Sequence, residues 1–179
     1  MEFMTGKTEK KTVLISDILS GEYEGKEVLL NGAVHKIRDM GEVAFVVLRT
    51  REGLVQTVYE EGTTTPELKE LCEEAAVTVK GTVALEERAP QGFEIRAVSF
   101  EILSKPVEPM PIAINKWKMN TSLETKLDLR PLSLRNVKER AKFRVQEGIV
   151  RGFRDYLHSQ GFTEIHSPKI GARGAEGGA

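Results

Sequence analysis

The feature that most constrains the fold is a series of short segments with β-type residue patterns, separated by turn signals, between residues 27 and 103. Each segment is rich in valine, leucine, isoleucine or phenylalanine, as half-buried strands usually are. The series is interrupted once, by PELKELCEEA, where a proline precedes apolar residues at helical spacing. The predicted order is three strands, a helix and two strands, at residues 27–37, 43–49, 54–59, 66–75, 77–85 and 93–103.

This order of elements is that of an OB-fold, a small five-stranded Greek-key barrel whose strand 2 and 3 face commonly binds oligonucleotides. Gly53 suits a tight hairpin between the second and third strands, and Gly32 and Gly81 suit sharp bends in a closing barrel. The spacing of apolar residues alone is also compatible with other small β-barrel folds. We predict an all-β OB-fold domain over residues 13–103, preceded by a disordered leader at residues 1–12.

The remainder of the chain has a different character. Residues 104–135 are predicted to form a linker or hinge, since their first part contains three prolines and its apolar residues follow no clear helical or strand period. An amphipathic helix is expected from Asn136 to about Gly161, followed by a short strand at 162–165. One helix and one strand cannot enclose a core, so residues 136–179 read as the beginning of an α+β domain.

Charge is divided unevenly along the chain. Residues 1–103 contain 12 Lys and Arg against 19 Asp and Glu, whereas residues 104–160 contain 12 against 6. Non-specific phosphate attraction therefore cannot bring the first part to a nucleic acid, because its net charge of −7 has the wrong sign. If that part binds RNA or DNA, contacts with specific bases must carry the recognition.

Several classes of protein are excluded by simple features of the sequence. Cys72 is the single cysteine and the three histidines are scattered, so we expect neither a disulfide framework nor a metal site. The sequence has no apolar run of membrane-spanning length, and its first residues, MEFMTGKTEKK, lack the apolar part of a secretory signal. A cytoplasmic location is expected.

The glycine-rich segment GARGAEGG at 171–178 resembles a phosphate-binding loop only in composition. No lysine and hydroxyl pair follows it, and the G-x-G-x-x-G spacing is absent. Its one acidic residue, Glu176, is more informative, because a carboxylate among small residues can form a strong, charge-assisted hydrogen bond with a substrate ammonium.

Two segments resemble a known family. GFTEIHSPKI at 161–170, followed by GARGAEGG, is similar to motif 1 and the adjoining substrate loop of class II aminoacyl-tRNA synthetases of the aspartyl type, in their archaeal and eukaryotic form. TKLDLRPLSLR at 125–135 resembles the arginine-containing segment that precedes the catalytic domain in that family. The resemblance implies that the predicted OB-fold is the tRNA anticodon-binding domain.

The resemblance also implies specific site residues. Phe45, Gln56 and Glu94 match the aromatic, amide and carboxylate groups with which the family contacts anticodon bases. Their chemistry suits that task, because an exposed phenyl ring stacks on an unpaired base while amide and carboxylate groups read Watson-Crick edges. By the same resemblance, Glu176 binds the substrate aspartate and Pro168 belongs to the motif 1 homodimer interface.

The implied activity is that of an aspartate-tRNA ligase, with ATP, Mg²⁺, L-aspartate and tRNA(Asp) as its cofactors and partners. The family's motifs 2 and 3, which hold ATP, are expected beyond Ala179, so residues 1–179 contain no catalytic residue and are expected to be inactive alone. One alternative is an asparagine-tRNA ligase, or a non-discriminating enzyme that also charges tRNA(Asn). Another is a non-catalytic tRNA-binding module or synthetase paralogue.

Overall fold

The computed structural model describes residues 12–166, which fall into two compact units that divide between Asn120 and Thr121. The first unit contains one short helix, five strands and a short 3-10 helix. In chain order these are α1 (Ile15–Leu19), β1 (Glu27–Asp39), β2 (Val43–Arg49), β3 (Leu54–Glu60), the 3-10 helix (Leu68–Glu70), β4 (Ala76–Leu85) and β5 (Phe93–Ser104).

The five strands close into a ring in the order β1-β2-β3-β5-β4, with β4 pairing back onto β1. All neighbouring strands are antiparallel except β3 and β5, which are parallel. This closed sheet confirms the predicted OB-fold. All five strands were predicted from the sequence, and their bounds differ from the prediction by at most two residues.

The core of the first unit lies inside the ring of strands. Side chains of a strand point alternately to its two faces, and on β2 the inward ones are Ala44, Val46 and Leu48, none of which is exposed. Phe45 and Arg49 therefore point outward from the same strand. The core also includes Leu30, Val34, Val55, Val77, Val79 and Ile95, among others.

The structure explains why position 81 is a glycine. A Cβ atom there would overlap the carbonyl oxygen of Arg96 and lie 2.7 Å from the side chain of Ile95. The pairing of β4 with β5 also shifts by one residue between Lys80 and Gly81. Gly81 therefore allows the close approach of two backbones at an irregular point of the sheet.

The predicted helix at 66–75 is wrong. Only the three residues Leu68–Glu70 form a 3-10 helix, and Leu71 is extended, with φ −80° and ψ 141°. Leu71 is buried in the core at 5% exposure, and Glu74 has a left-handed backbone, with φ 67°. An uninterrupted helix is incompatible with the extended backbone of Leu71 and the left-handed backbone of Glu74, so burial of Leu71 and the contacts of Glu74 override the helical spacing.

The second unit contains the helices α2 (Leu123–Asp128), α3 (Arg130–Ser133) and α4 (Val137–Ser159). The first two lie within the segment that was assigned to a linker. The long helix α4 confirms the predicted one: Asn136 caps its start by accepting from the backbone N–H groups of Lys138 and Glu139. Gly161 follows its end with φ 85°.

The apolar stripe of α4 is largely exposed. Val145, Ile149, Phe153 and Tyr156 each expose more than 60% of their surface. The strand predicted at 162–165 is wrong, since these residues are exposed and have no regular secondary structure. Within residues 12–166 no helix is both long enough and apolar enough to cross a membrane. The predicted leader falls almost wholly outside the described residues.

Candidate nucleic-acid interface

Phe45 lies on the outward face of β2, half-exposed, with β1 and β3 on either side. Its partner across β1 is Arg38, whose guanidinium carbon lies 5.3 Å from the centroid of the phenyl ring. A cation at this distance is attracted by the face of the ring. The ring is therefore held in one orientation by a neighbour rather than buried in the core.

Gln56 and Glu94 are brought together although 38 positions separate them in the sequence. They are direct partners in the parallel pairing of β3 with β5. The Gln56 Nε2 atom donates to Glu94 Oε2 at 3.1 Å, and the Gln56 Oε1 atom accepts from Arg38 Nη2 at 2.9 Å. Gln56 and Glu94 are 8% and 9% exposed, so their polar groups are oriented by each other.

Arg38 is the residue of this face whose role the sequence did not reveal. It contacts both the Phe45 ring and the Gln56 side chain. No spacing rule predicts this, because the two contacts depend on the register between β1 and β2. We call Arg38, Phe45, Gln56 and Glu94 together the polar-aromatic face.

The polar-aromatic face combines the groups that single-stranded nucleic acids require. A partly exposed phenyl ring offers a stacking platform for an unpaired base. The amide offers donors and an acceptor, the carboxylate offers acceptors, and the guanidinium offers donors. These groups can exchange their mutual hydrogen bonds for bonds with a base edge when a base enters.

Arg49 is not available as a phosphate ligand on the rim of this face. Its guanidinium forms a two-pronged ion pair with the Glu74 carboxylate, at 2.5 and 2.8 Å. The side chains of the pair are 9% and 3% exposed. The other basic residues next to the face, Lys36 and Arg51, are exposed.

Two predicted site residues, Pro168 and Glu176, lie outside the described residues. In the part of the chain that the structure describes, no group of three or more histidine, cysteine or acidic side chains could hold a metal ion.

The closed five-strand sheet defines an OB-fold domain, and residues 28–103 match the model of the OB-fold nucleic acid binding domain. Residues 122–179 match the model of the class II tRNA synthetases (D, K and N). The chain is a homologue of the aspartate-tRNA ligases within class II.

Individual relatives agree with these matches. The chain is 42% identical to the aspartate-tRNA(Asp/Asn) ligase of Thermus thermophilus over 167 residues, which are 93% of this chain and 38% of that protein. Among solved structures, asparaginyl-tRNA synthetase from Pyrococcus horikoshii has a TM-score of 0.71 and 32% identity, with 82% of this chain and 34% of that chain covered. Aspartyl-tRNA synthetase from Entamoeba histolytica has a TM-score of 0.72 and 27% identity, with coverage of 92% and 40%. The chain thus spans well under half the length of each relative.

Proposed function

We propose that this chain is the tRNA-recognising part of an aspartate-tRNA ligase and that its polar-aromatic face reads the anticodon. The observation that carries the proposal is the convergence of Phe45, Gln56 and Glu94, from three different strands, on one surface. The identity to aspartate-tRNA(Asp/Asn) ligases supports the choice of amino acid.

In this proposal a base of the anticodon stacks on Phe45. Such stacking contributes about 1 to 3 kcal/mol per base and is largely independent of sequence. Arg38 keeps the ring in place before the base arrives, which lowers the entropic cost of ordering it. Identity then comes from Gln56 and Glu94, whose amide and carboxylate form hydrogen bonds with base edges.

The enzymatic activity proposed for the whole protein is the activation of L-aspartate with ATP, assisted by Mg²⁺, and its transfer to tRNA(Asp). Glu176 is proposed to bind the ammonium of aspartate. We further propose residues 13–103 as the anticodon-binding domain, 104–135 as linker and 136–179 as the start of the catalytic domain, in a cytoplasmic protein.

The exposed apolar stripe of α4, together with Pro168, is proposed as part of a homodimer interface. Such a contiguous apolar surface favours a partner of similar character. This proposal is independent of the anticodon-reading role, because α4 belongs to the second unit.

A second candidate is an enzyme that charges both tRNA(Asp) and tRNA(Asn). It is favoured by the relatives whose names include both tRNAs. The two anticodons share their first two bases, so Phe45 and Gln56 do not distinguish the candidates.

The test is binding of the 179-residue chain to RNA hairpins that carry the aspartate anticodon, the asparagine anticodon or a scrambled loop. We expect the aspartate hairpin to bind more tightly than the scrambled one at both low and moderate salt, since contacts with bases depend on salt less than contacts with phosphates. Equal binding of the first two hairpins would favour the enzyme that charges both tRNAs.

Two variants sharpen the test. Phe45→Ala should weaken binding of the anticodon hairpins by about 1 to 3 kcal/mol, because the stacking platform is lost. Phe143→Ala is a matched control, because an arginine also lies over this ring, at 5.1 Å, but on the helical unit. A scrambled loop that binds as well as the anticodon loops, or a Phe45→Ala variant that binds the anticodon hairpins as tightly as the parent, would refute the anticodon-reading role.

A further inference from the structure

The first strand carries a β-bulge at His35 that sets the geometry of the polar-aromatic face. Val34 pairs with Leu48, but the next pair along the strands is Lys36 with Val47, so His35 is an extra residue. The changed register continues along β1 and places Arg38 opposite Phe45.

If the same sequence paired with β2 without this bulge, the face could not form. Continuing the register of Val34 with Leu48 would place Ile37 opposite Phe45. Because side chains alternate between the two faces of a strand, a one-residue shift would turn Arg38 toward the interior. The bulge therefore decides whether a guanidinium or an apolar side chain lies beside the phenyl ring.

Glu74 holds the bulge through its backbone. Its N–H group donates to the carbonyl oxygen of Val34 at 2.7 Å, and the Val34 N–H group donates to Ala75 at 2.9 Å. To do so Glu74 adopts a left-handed conformation, with φ 67°. This conformation is disfavoured for any residue other than glycine, and such strain is often found where function requires it.

The Glu74 side chain also supports the bulge, through Arg49 of the adjacent strand β2. Its carboxylate binds Arg49 of β2, and Arg49 Nη1 lies 3.3 Å from His35 Nδ1. Burial and, to a lesser extent, the Arg49 charge lower the pKa of His35, so the ring is neutral at neutral pH and Nδ1 can accept a hydrogen bond from Arg49. A buried ion pair is expensive to desolvate and is weak evidence for stability as such.

We propose that Glu74 is a positioning residue whose carboxylate is required, in addition to the backbone bonds, to fix the His35 bulge and thereby the register that presents Arg38 to Phe45. The proposed effect of Glu74 on the register depends only on residues of the first unit. Its consequence for RNA rests on the proposed anticodon-reading role.

The first experiment needs no RNA. In NMR spectra of the chain, the side-chain protons of Arg38 should show a ring-current shift from Phe45, and Phe45→Leu should define the unshifted position. We expect Glu74→Gln to move these resonances to the Phe45→Leu position and to abolish the cross-strand contact between Arg38 and Phe45. The matched control is Glu73→Gln, since the adjacent Glu73 carboxylate accepts from Asn115.

A second variant covers the case in which Glu74→Gln does not fold. Glu74→Gly adopts φ 67° without steric cost, so it removes the carboxylate and relieves the strained backbone together. If either variant folds and retains the Arg38 shift and the cross-strand contact, the proposal is overturned.

The second experiment measures the consequence for RNA. Glu74→Gln and Arg38→Ala should each weaken the preference for the anticodon hairpin, and the double variant should be no worse than Arg38→Ala alone. Additive losses would indicate general destabilisation and would overturn the positioning role. If the unaltered chain shows no base preference, the anticodon-reading role fails, and the NMR result decides the register proposal by itself.

Discussion

Gln56 is the central residue of the polar-aromatic face, and its replacement by methionine tests whether the hydrogen bonds described above exist. Methionine has a similar length but neither donates to Glu94 nor accepts from Arg38. Arg38 is exposed, so water replaces its lost acceptor at little cost. Glu94 is 9% exposed, so its carboxylate loses a donor that water replaces poorly.

The expected magnitude follows from this difference in exposure. An orphaned buried acceptor costs about 1 to 3 kcal/mol, whereas a lost hydrogen bond at the surface costs about 0.5 kcal/mol. We therefore expect Gln56→Met to lower the free energy of unfolding by about 2 kcal/mol. Adding Glu94→Met should recover part of that loss, because the double variant contains no orphaned carboxylate.

Urea unfolding should be followed by backbone amide resonances of β2 and β3, since these report on the strand unit separately from the helical one. Gln146→Met, at an exposed position of α4, is the control and should change stability by less than about 0.5 kcal/mol. The reasoning fails if Gln56→Met is as stable as the parent, or if the double variant is less stable than Gln56→Met alone.

Three further predictions concern stability. Gly81→Ala should cost about 1 to 3 kcal/mol because its Cβ would overlap a backbone carbonyl; Gly32→Ala, with its nearest neighbours at 3.2 Å, should cost less in the same urea titration. The pKa of His35 is lower in the folded chain than in the unfolded chain, so on acidification the unfolded chain is protonated first. The free energy of unfolding should therefore fall as the pH drops below 6.5, until the folded-state pKa of His35 is passed. His35→Gln should remove this part of the pH dependence of the melting temperature. Asn136→Ala removes the cap of α4 and should cost about 0.5 to 2 kcal/mol, seen as earlier loss of helical circular dichroism; an unchanged helix signal would contradict the capping role.

The strands could be predicted from sequence because each is a local pattern bounded by turn residues. The same holds for α4, because its cap residue, apolar stripe and terminal glycine lie in one continuous segment of the sequence. The proximity of Gln56 to Glu94 was not available in this way, since it depends on the parallel pairing of two strands that are far apart in the chain. Only the family resemblance placed the two residues in one site.

Where prediction failed, a tertiary contact overrode a local pattern. The segment 66–75 has helical spacing, but Leu71 is drawn into the core and Glu74 turns left-handed to hold β1 and Arg49. The role of Arg38 was missed for the same reason. Its contacts depend on an extra residue in β1, and a bulge has no sequence signature when neither glycine nor proline marks it.

The net charge of the OB-fold unit is consistent with recognition by bases rather than by phosphates. This unit, residues 1–120, contains 15 Lys and Arg against 20 Asp and Glu, so its net charge of −5 does not attract a nucleic acid at long range. The groups of the polar-aromatic face already satisfy one another, through the bonds of Gln56 to Arg38 and Glu94. A base that offers matching donors and acceptors replaces these bonds at little cost, whereas a mismatched base leaves Glu94 buried without a donor. In the proposed anticodon-reading role, such a face gains little affinity from a correct base and loses much with a wrong one, and this difference would produce specificity.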